Sequence, residues 1–297
     1  MKIGILTDST CDLPQKLIDE YNIHIIPLTL RIGEEQYKDR KEINSDQFLN
    51  RIKQSDVMPT TSQPSVGEFE VIYKELNKDY DHVISMHLSS HLSGTVHSAQ
   101  LALKENPEFN ITVIDSKTAS MGLGFLDILA AKLIAKGLEL EKIVKILKRA
   151  RRDIEIYLTV DNLSFFEKGG RISKAGSFIG DLINLKPILK LDFDSKAVEP
   201  MDKARGRKNT HKKLLELVEK YITKDKGNKG EYWFGFVHGE LKYTTTFKKM
   251  YQNKIDNLSF GCKYYQNTVG AVIGSHTGPT VYGVVLFKGG KYLNEQF

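Results

Sequence analysis

Short apolar runs alternate with amphipathic stretches along the first half of the chain. Runs at residues 2–6, 82–86, 111–114 and 154–159 predict strands. Between them, apolar positions recur at helical spacing over residues 12–21 and 45–53, from Ser65, from Gly94, from Ser120 and over 140–152. A longer apolar run at 23–30 reads as one strand, and the polar stretch 33–41 as an excursion from it. Strands separated by helices predict parallel βαβ units, with mixed pairing at an edge. The second half has a different texture. It predicts a short helix before Gly169, a helix over 177–185, strands at 187–191 and 197–203, and a basic helix over 209–221. A strand at 232–238, a helix near 244–251 and further strands complete the tail. The change of texture puts a domain boundary near Val160, although no Pro/Gly/Ser linker marks it.

Composition narrows the class. With 40% hydrophobic and 27% charged residues, the chain reads as an ordinary soluble protein. It contains no run of 18 uncharged apolar residues, so no membrane span is expected. Nothing at the N-terminus has the basic-then-apolar pattern of a secretory leader. Cys11 and Cys262 match no metal or redox spacing and read as free thiols in a cytoplasmic setting. The net charge of +6 is concentrated at 202–229, where ten Lys/Arg face four Asp/Glu. Nucleic-acid binding wants basic residues interleaved with aromatics, and only Tyr221 is aromatic there. The run therefore predicts a solvated face or a contact for an acidic protein, and no nucleic-acid partner.

Two segments carry the clearest chemistry. "TSQPS" (Thr61, Ser62) precedes a helix that starts on an S-x-x-E capping box, Ser65 and Glu68. "SSHLSGT" (Ser93, Gly94) ends a strand and opens another helix. Hydroxyls and unpaired N–H groups at a helix start suit an anion. If both loops lie at the carboxyl edge of one parallel sheet, they converge where ligands bind in open α/β folds. Neither loop has a P-loop lysine, and no Lys or Arg occurs in 57–73 or 85–103. A single carboxylate suits such a site better than a di- or triphosphate. Ser93 as a nucleophile is the alternative: no G-x-S-x-G elbow surrounds it, but triad partners can be distant in sequence. His87, His91 and His97 lack the spacing of a zinc site. Asp8 and Asp115 follow strands, as loop-capping aspartates do. Arg171, after Gly169 and Gly170, reads as exposed. His276 in "GSHTGP" reads as a loop histidine able to hydrogen-bond a carboxylate.

Taken together, "TDSTCDLP", "TSQPS", "SSHLSGT", "VIDSKTASMGLG", "GGRIS", "KPIL" and "SHTGP" resemble the DegV family in order and spacing, over nearly the whole chain. The resemblance implies an α/β fold of two α/β domains, related to the dihydroxyacetone-kinase type. Residues 1–160 would form a mainly parallel sheet with flanking helices, and 161–297 a mixed sheet with helices. It further implies one long-chain fatty acid at the domain junction, presented to the separate ATP-dependent catalytic subunit of a bacterial fatty acid kinase. Carried over by motif, Thr61, Ser62, Ser93, Gly94 and His276 would hold the carboxylate, and Arg171 and Arg205 would face the kinase. No catalytic residue, metal or cofactor is implied. The protein would be a cytoplasmic monomer with transient membrane contact. Residues 121–134 and 178–189 are candidates for the tail-lining walls, with Gly122 and Gly124 admitting the chain. Thr280 departs from the family pattern, which has glycine there. A serine hydrolase acting through Ser93 on lipid or ester substrates remains the alternative, and a DNA-binding regulator a distant third.

Overall fold

The computed structural model describes all residues except 56, 162, 173–184, 195–196, 225–229, 241, 243 and 295–297. β1 (Ile3–Asp8) leads through a 3-10 turn into α1 (Gln15–Glu20) and β2 (Ile23–Ile26). The apolar run expected as a single strand breaks at Pro27, which has no N–H for a ladder. Its second part is β3 (Thr29–Ile32), and the polar excursion forms β4 (Glu35–Lys38), antiparallel to it. After α2 (Ser45–Lys53), β5 (Thr60–Ser62) pairs with β3 from the other side. α3 (Val66–Asp79) starts on the expected capping box, with Ser65 Oγ accepting from Glu68 N–H and Glu68 accepting from Ser65 N–H. β6 (His82–His87), α4 (Thr95–Glu105) and β7 (Ile111–Asp115) follow. The main N-terminal sheet, in the order β2-β1-β6-β7, is parallel throughout. α5 (Met121–Ala135) and α6 (Leu140–Ala150) come next.

The second sheet is mixed. It is built from β8 (Glu155–Thr159), β9 (Leu185–Leu191) and β10 (Glu199–Arg205), with α7 (Ser164–Gly169) between the first two. Then come α8 (Gly206–Thr223), β11 (Tyr232–His238), α9 (Thr245–Asp256), β12 (Cys262–Thr268), α10 (Ala271–Thr277), β13 (Tyr282–Phe287) and α11 (Gly289–Asn294). The strand order is β10-β9-β8-β13-β11-β12, antiparallel except for the β11–β12 pair. β8 was expected in the first half but hydrogen-bonds within this sheet. Of the helix expected over 177–185, residues 177–184 lie outside the described residues and Leu185 opens β9.

α5 explains how the two sheets hold together. "MGLGFLDILAAKLIA" is apolar apart from Asp127 and Lys132, so nearly all of its surface must be covered. Eleven of its fifteen residues are buried. Its side chains share one core with Ile5, Ile84 and Met86 of the parallel sheet and with Ile156, Trp233 and Val285 of the mixed sheet. α3 and α4 cover the far side of the parallel sheet through Phe69, Tyr73 and Ala99. α8 and α9 cover the far side of the mixed sheet through Leu214, Val218, Phe247 and Tyr251. Loops from both sheets meet beside the start of α5.

Candidate functional site

A cavity of about 320 Å³ lies where those loops converge. Its polar lining includes Thr61, Ser62, Gln63, Ser93, Ser120, Arg171 and His276. Its apolar lining includes Leu28, Leu92, Ile156, Leu158, Phe166, Leu191 and Val198. A ring of contacts ties the polar groups together. Thr61 Oγ1 and His276 Nε2 are 2.8 Å apart, and the His276 ring lies against Gly169. Arg171 donates to the Gly169 carbonyl at 2.6 Å and to the Leu92 carbonyl at 3.2 Å. The next residues after Leu92 are Ser93 and Gly94, and the Gln63 amide sits against Gly94. Gln63 leads back along the chain to Ser62 and Thr61. The hydroxyls and the imidazole thus share one rim, although they come from segments far apart in sequence.

Ser93 follows β6, at the carboxyl edge of the parallel sheet as expected. Thr61 does not lie at that edge; it sits on β5 of the small antiparallel sheet, opposite Leu30. His276 is not in a loop; it occupies the last turn of α10, a seven-residue helix between Gly270 and Gly278. Arg171 reaches inward rather than standing free in solvent. Burial, and then the Arg171 charge, lower the His276 pKa to about 4, so the imidazole is neutral at ordinary pH. Its Nδ1 has no hydrogen-bond partner among the described residues.

Ser93 lacks the surroundings of a nucleophile. Its Oγ accepts from Thr95 N–H at 3.3 Å and shares a hydrogen bond of 2.9 Å with Thr95 Oγ1. Among the described residues no histidine hydrogen-bonds to it. An Asp–His–Ser sequence does exist elsewhere: His87 lies between Asp8 (3.3 Å) and Ser85 (2.7 Å), with Tyr73 beyond Ser85. All three residues of that sequence are buried, and none lines the cavity, so it organises the core. Asp8 also accepts from Thr10 and from Leu88 N–H, and Asp115 from Ser90 and Lys117, as expected of aspartates after strands.

Other expectations need adjusting. Gly94 does not line the cavity; its missing Cβ makes room for the Gln63 side chain, which donates to Ser98 Oγ. The 121–134 run does not line the cavity, because α5 is committed to the shared core. Gly122 and Gly124 admit Ile156 and Leu13, not a ligand. In the 178–189 run, residues 178–184 lie outside the described residues, and its remainder belongs to β9. Arg205 is exposed at the start of α8, outside the cavity lining. Thr280 has a role that glycine could not fill: its Oγ1 accepts from Asp161 N–H at 3.0 Å. Sequence reasoning missed Gln63 and Ser120 in the lining. The signal for Ser120 was present, since it too is a hydroxyl between a strand and a helix.

The family model described as "Uncharacterised protein, DegV family" matches residues 2–289. The chain belongs to the DegV family. It is similar to protein DegV of Bacillus subtilis, with 34% identity over 96% of this chain and 98% of that one. A DegV domain-containing protein of Staphylococcus aureus is 37% identical, over the same shares of the two chains. Among solved structures, a Thermus thermophilus DegV family protein, described by its fatty acid binding, superimposes with a TM-score of 0.87. It is 35% identical, over 97% of this chain and 100% of that one. The B. subtilis DegV structure, described as a fatty acid binding protein, gives 0.84 at 34% identity and the same coverage. These DegV structures share the two-part α/β architecture described above. Among the described residues of this chain, no helix is long and apolar enough to cross a membrane.

Proposed function

We propose that this protein binds one long-chain fatty acid, with the carboxylate on the hydroxyl–imidazole rim and the tail along the apolar wall. The cavity carries the reading: one rim of Thr61, Ser93 and His276 opens onto Ile156, Leu158, Phe166, Leu191 and Val198. Fatty acid binding by relatives at 34% and 35% identity supports it. Hydroxyl donors suit the ionised acid, and the Arg171 guanidinium adds a positive charge beside them. Burying the tail contributes ~0.8 kcal/mol per methylene. Affinity should therefore follow chain length more steeply than any single polar substitution.

In this reading the protein is not catalytic alone. It acts in the cytoplasm as a monomer and presents the carboxylate to a separate ATP-dependent kinase subunit for acyl-phosphate formation. Arg171, at the rim, and Arg205, on the basic start of α8, would face that partner, and transient membrane contact would supply the acid. Titration of delipidated protein with hexadecanoate tests the binding step. One equivalent bound, with a much weaker response to hexanoate, is the expected result; no heat or displacement with hexadecanoate would contradict it.

A further inference from the structure

Asp12 lies outside the cavity lining yet touches two of the cavity's walls. It is 1% exposed and adopts a left-handed conformation at φ 49. Its Oδ2 accepts from the Ser120 hydroxyl at 2.5 Å, and its Oδ1 from Gly270 N–H at 2.9 Å. Its own carbonyl accepts from Asn267 Nδ2 at 3.0 Å. Ser120 precedes α5 and lines the cavity. Gly270 precedes α10, whose Val272, Ile273, His276 and Thr277 line it as well. The approach requires glycine at 270, because a Cβ there would sit 2.7 Å from Asp12 Oδ1.

We propose that Asp12 is a positioning residue of the site: its carboxylate ties the start of α10 to the start of α5 and so fixes His276 opposite Thr61. This rests on the fatty-acid reading above. The carboxylate is a stronger acceptor than the neutral acid, so the tie is tightest when Asp12 is ionised. Among the described residues, Arg40 and Asp39 from the segment after β4 and its neighbour Cys11 face it. Burial, only partly offset by Ser120, Gly270 and Arg40, raises the Asp12 pKa to about 7. Asp39, buried beside the first turn of α10, is raised to about 6. Lowering the pH through neutrality therefore slackens the tie at Asp12 first.

The test is the release rate of a bound fluorescent fatty acid between pH 8 and pH 6, with the His276 backbone amide shift followed by NMR in ligand-free protein. Wild type should release about tenfold faster at pH 6, the difference between a charged and a neutral hydrogen bond. The amide shift should move with the same midpoint. In Asp12→Asn both steps should vanish, with release fast throughout, while Asp39→Asn keeps them. If Asp12→Asn does not fold, Ser120→Ala, which removes one arm of the tie, should shrink the steps. A pH-independent His276 amide in wild type, or steps that persist unchanged in Asp12→Asn or Ser120→Ala, overturns the proposal. Failure to retain any fatty acid at pH 8 counts against the binding reading, while the ligand-free amide still decides the role of Asp12.

Discussion

In the proposed reading, Thr61, Ser93 and His276 hold the carboxylate through atoms that a single substitution removes. Thr61→Ala and Ser93→Ala should each weaken hexadecanoate binding by roughly 1.5–3 kcal/mol, the worth of a hydrogen bond to a charged group. Calorimetric titration measures the loss, and an unchanged melting temperature separates it from damage to the Thr95 contact of Ser93. His276 gives a pH prediction. Its pKa is lowered to about 4 from 6.5, so its ring carbon resonances should not titrate between pH 5 and pH 8. The unfolded chain binds more protons than the native one between about 4 and 6.5. Stability from this group is therefore present at neutral pH and is lost as the pH falls through that window. A ring titration midpoint near 6.5 would contradict the burial of the imidazole. The hydroxyl residues are legible because short motifs carry them, although Thr61 and Ser62 lie on β5 rather than in a loop at the parallel sheet's edge; the burial of His276 is not, because Gly169 and Arg171 approach it from another segment.

At the scale of elements, the helix expected from Ser120 is present as α5, but its side chains build the shared core instead of the tail-lining wall expected of them. A run with so few polar side chains is stable here because both sheets cover it. Phe125 packs edge-on against Trp233 and stacks on Phe287. Phe125→Ala should cost ~3–5 kcal/mol in denaturant unfolding, and both sheets should still melt in one transition because they share that core. Two separate transitions would mean that α5 couples the halves less tightly than its packing indicates. The elements that sequence reasoning misread have physical reasons. β3, β4 and β5 have only three or four residues each, too few for a period-two pattern to stand out, and Pro27 was the only sign of the break before them. "AVIGSHT" mixes Gly, Thr and β-branched residues that favour helix poorly, so the sequence predicts a loop where the structure has α10. It is held instead by Asp12 at its start and by packing of Gly274 on Phe48. The change of texture near Val160 does not coincide with the sheets, because the mixed sheet recruits β8 before it.

For the whole molecule, the site lies where loops of a parallel and a mixed sheet meet, so it depends on both halves being in register. The excess positive charge gathers at the start of α8, but much of it is paired locally: Arg207 with Asp161 at 3.0 Å, Lys213 with Asp202, and Lys212 with Glu216. Arg205 is exposed beside these pairs. If this face meets a kinase, Arg205→Ala should slow acyl-phosphate formation at low salt while leaving bound lipid unchanged, since steering charges act on association. Full turnover in the coupled assay would reduce the segment to a solvated face. The central claim, that this cavity holds a fatty acid by the carboxylate, is tested most directly by non-denaturing mass spectrometry of the wild type beside the Thr61→Ala/Ser93→Ala double variant. The expected result is a single fatty acid of about 14–18 carbons on the folded wild type, a tail long enough at ~0.8 kcal/mol per methylene to survive purification, and markedly lower occupancy in the double variant. A wild type that stays empty after exposure to such acids, or a double variant with undiminished lipid, would contradict the account.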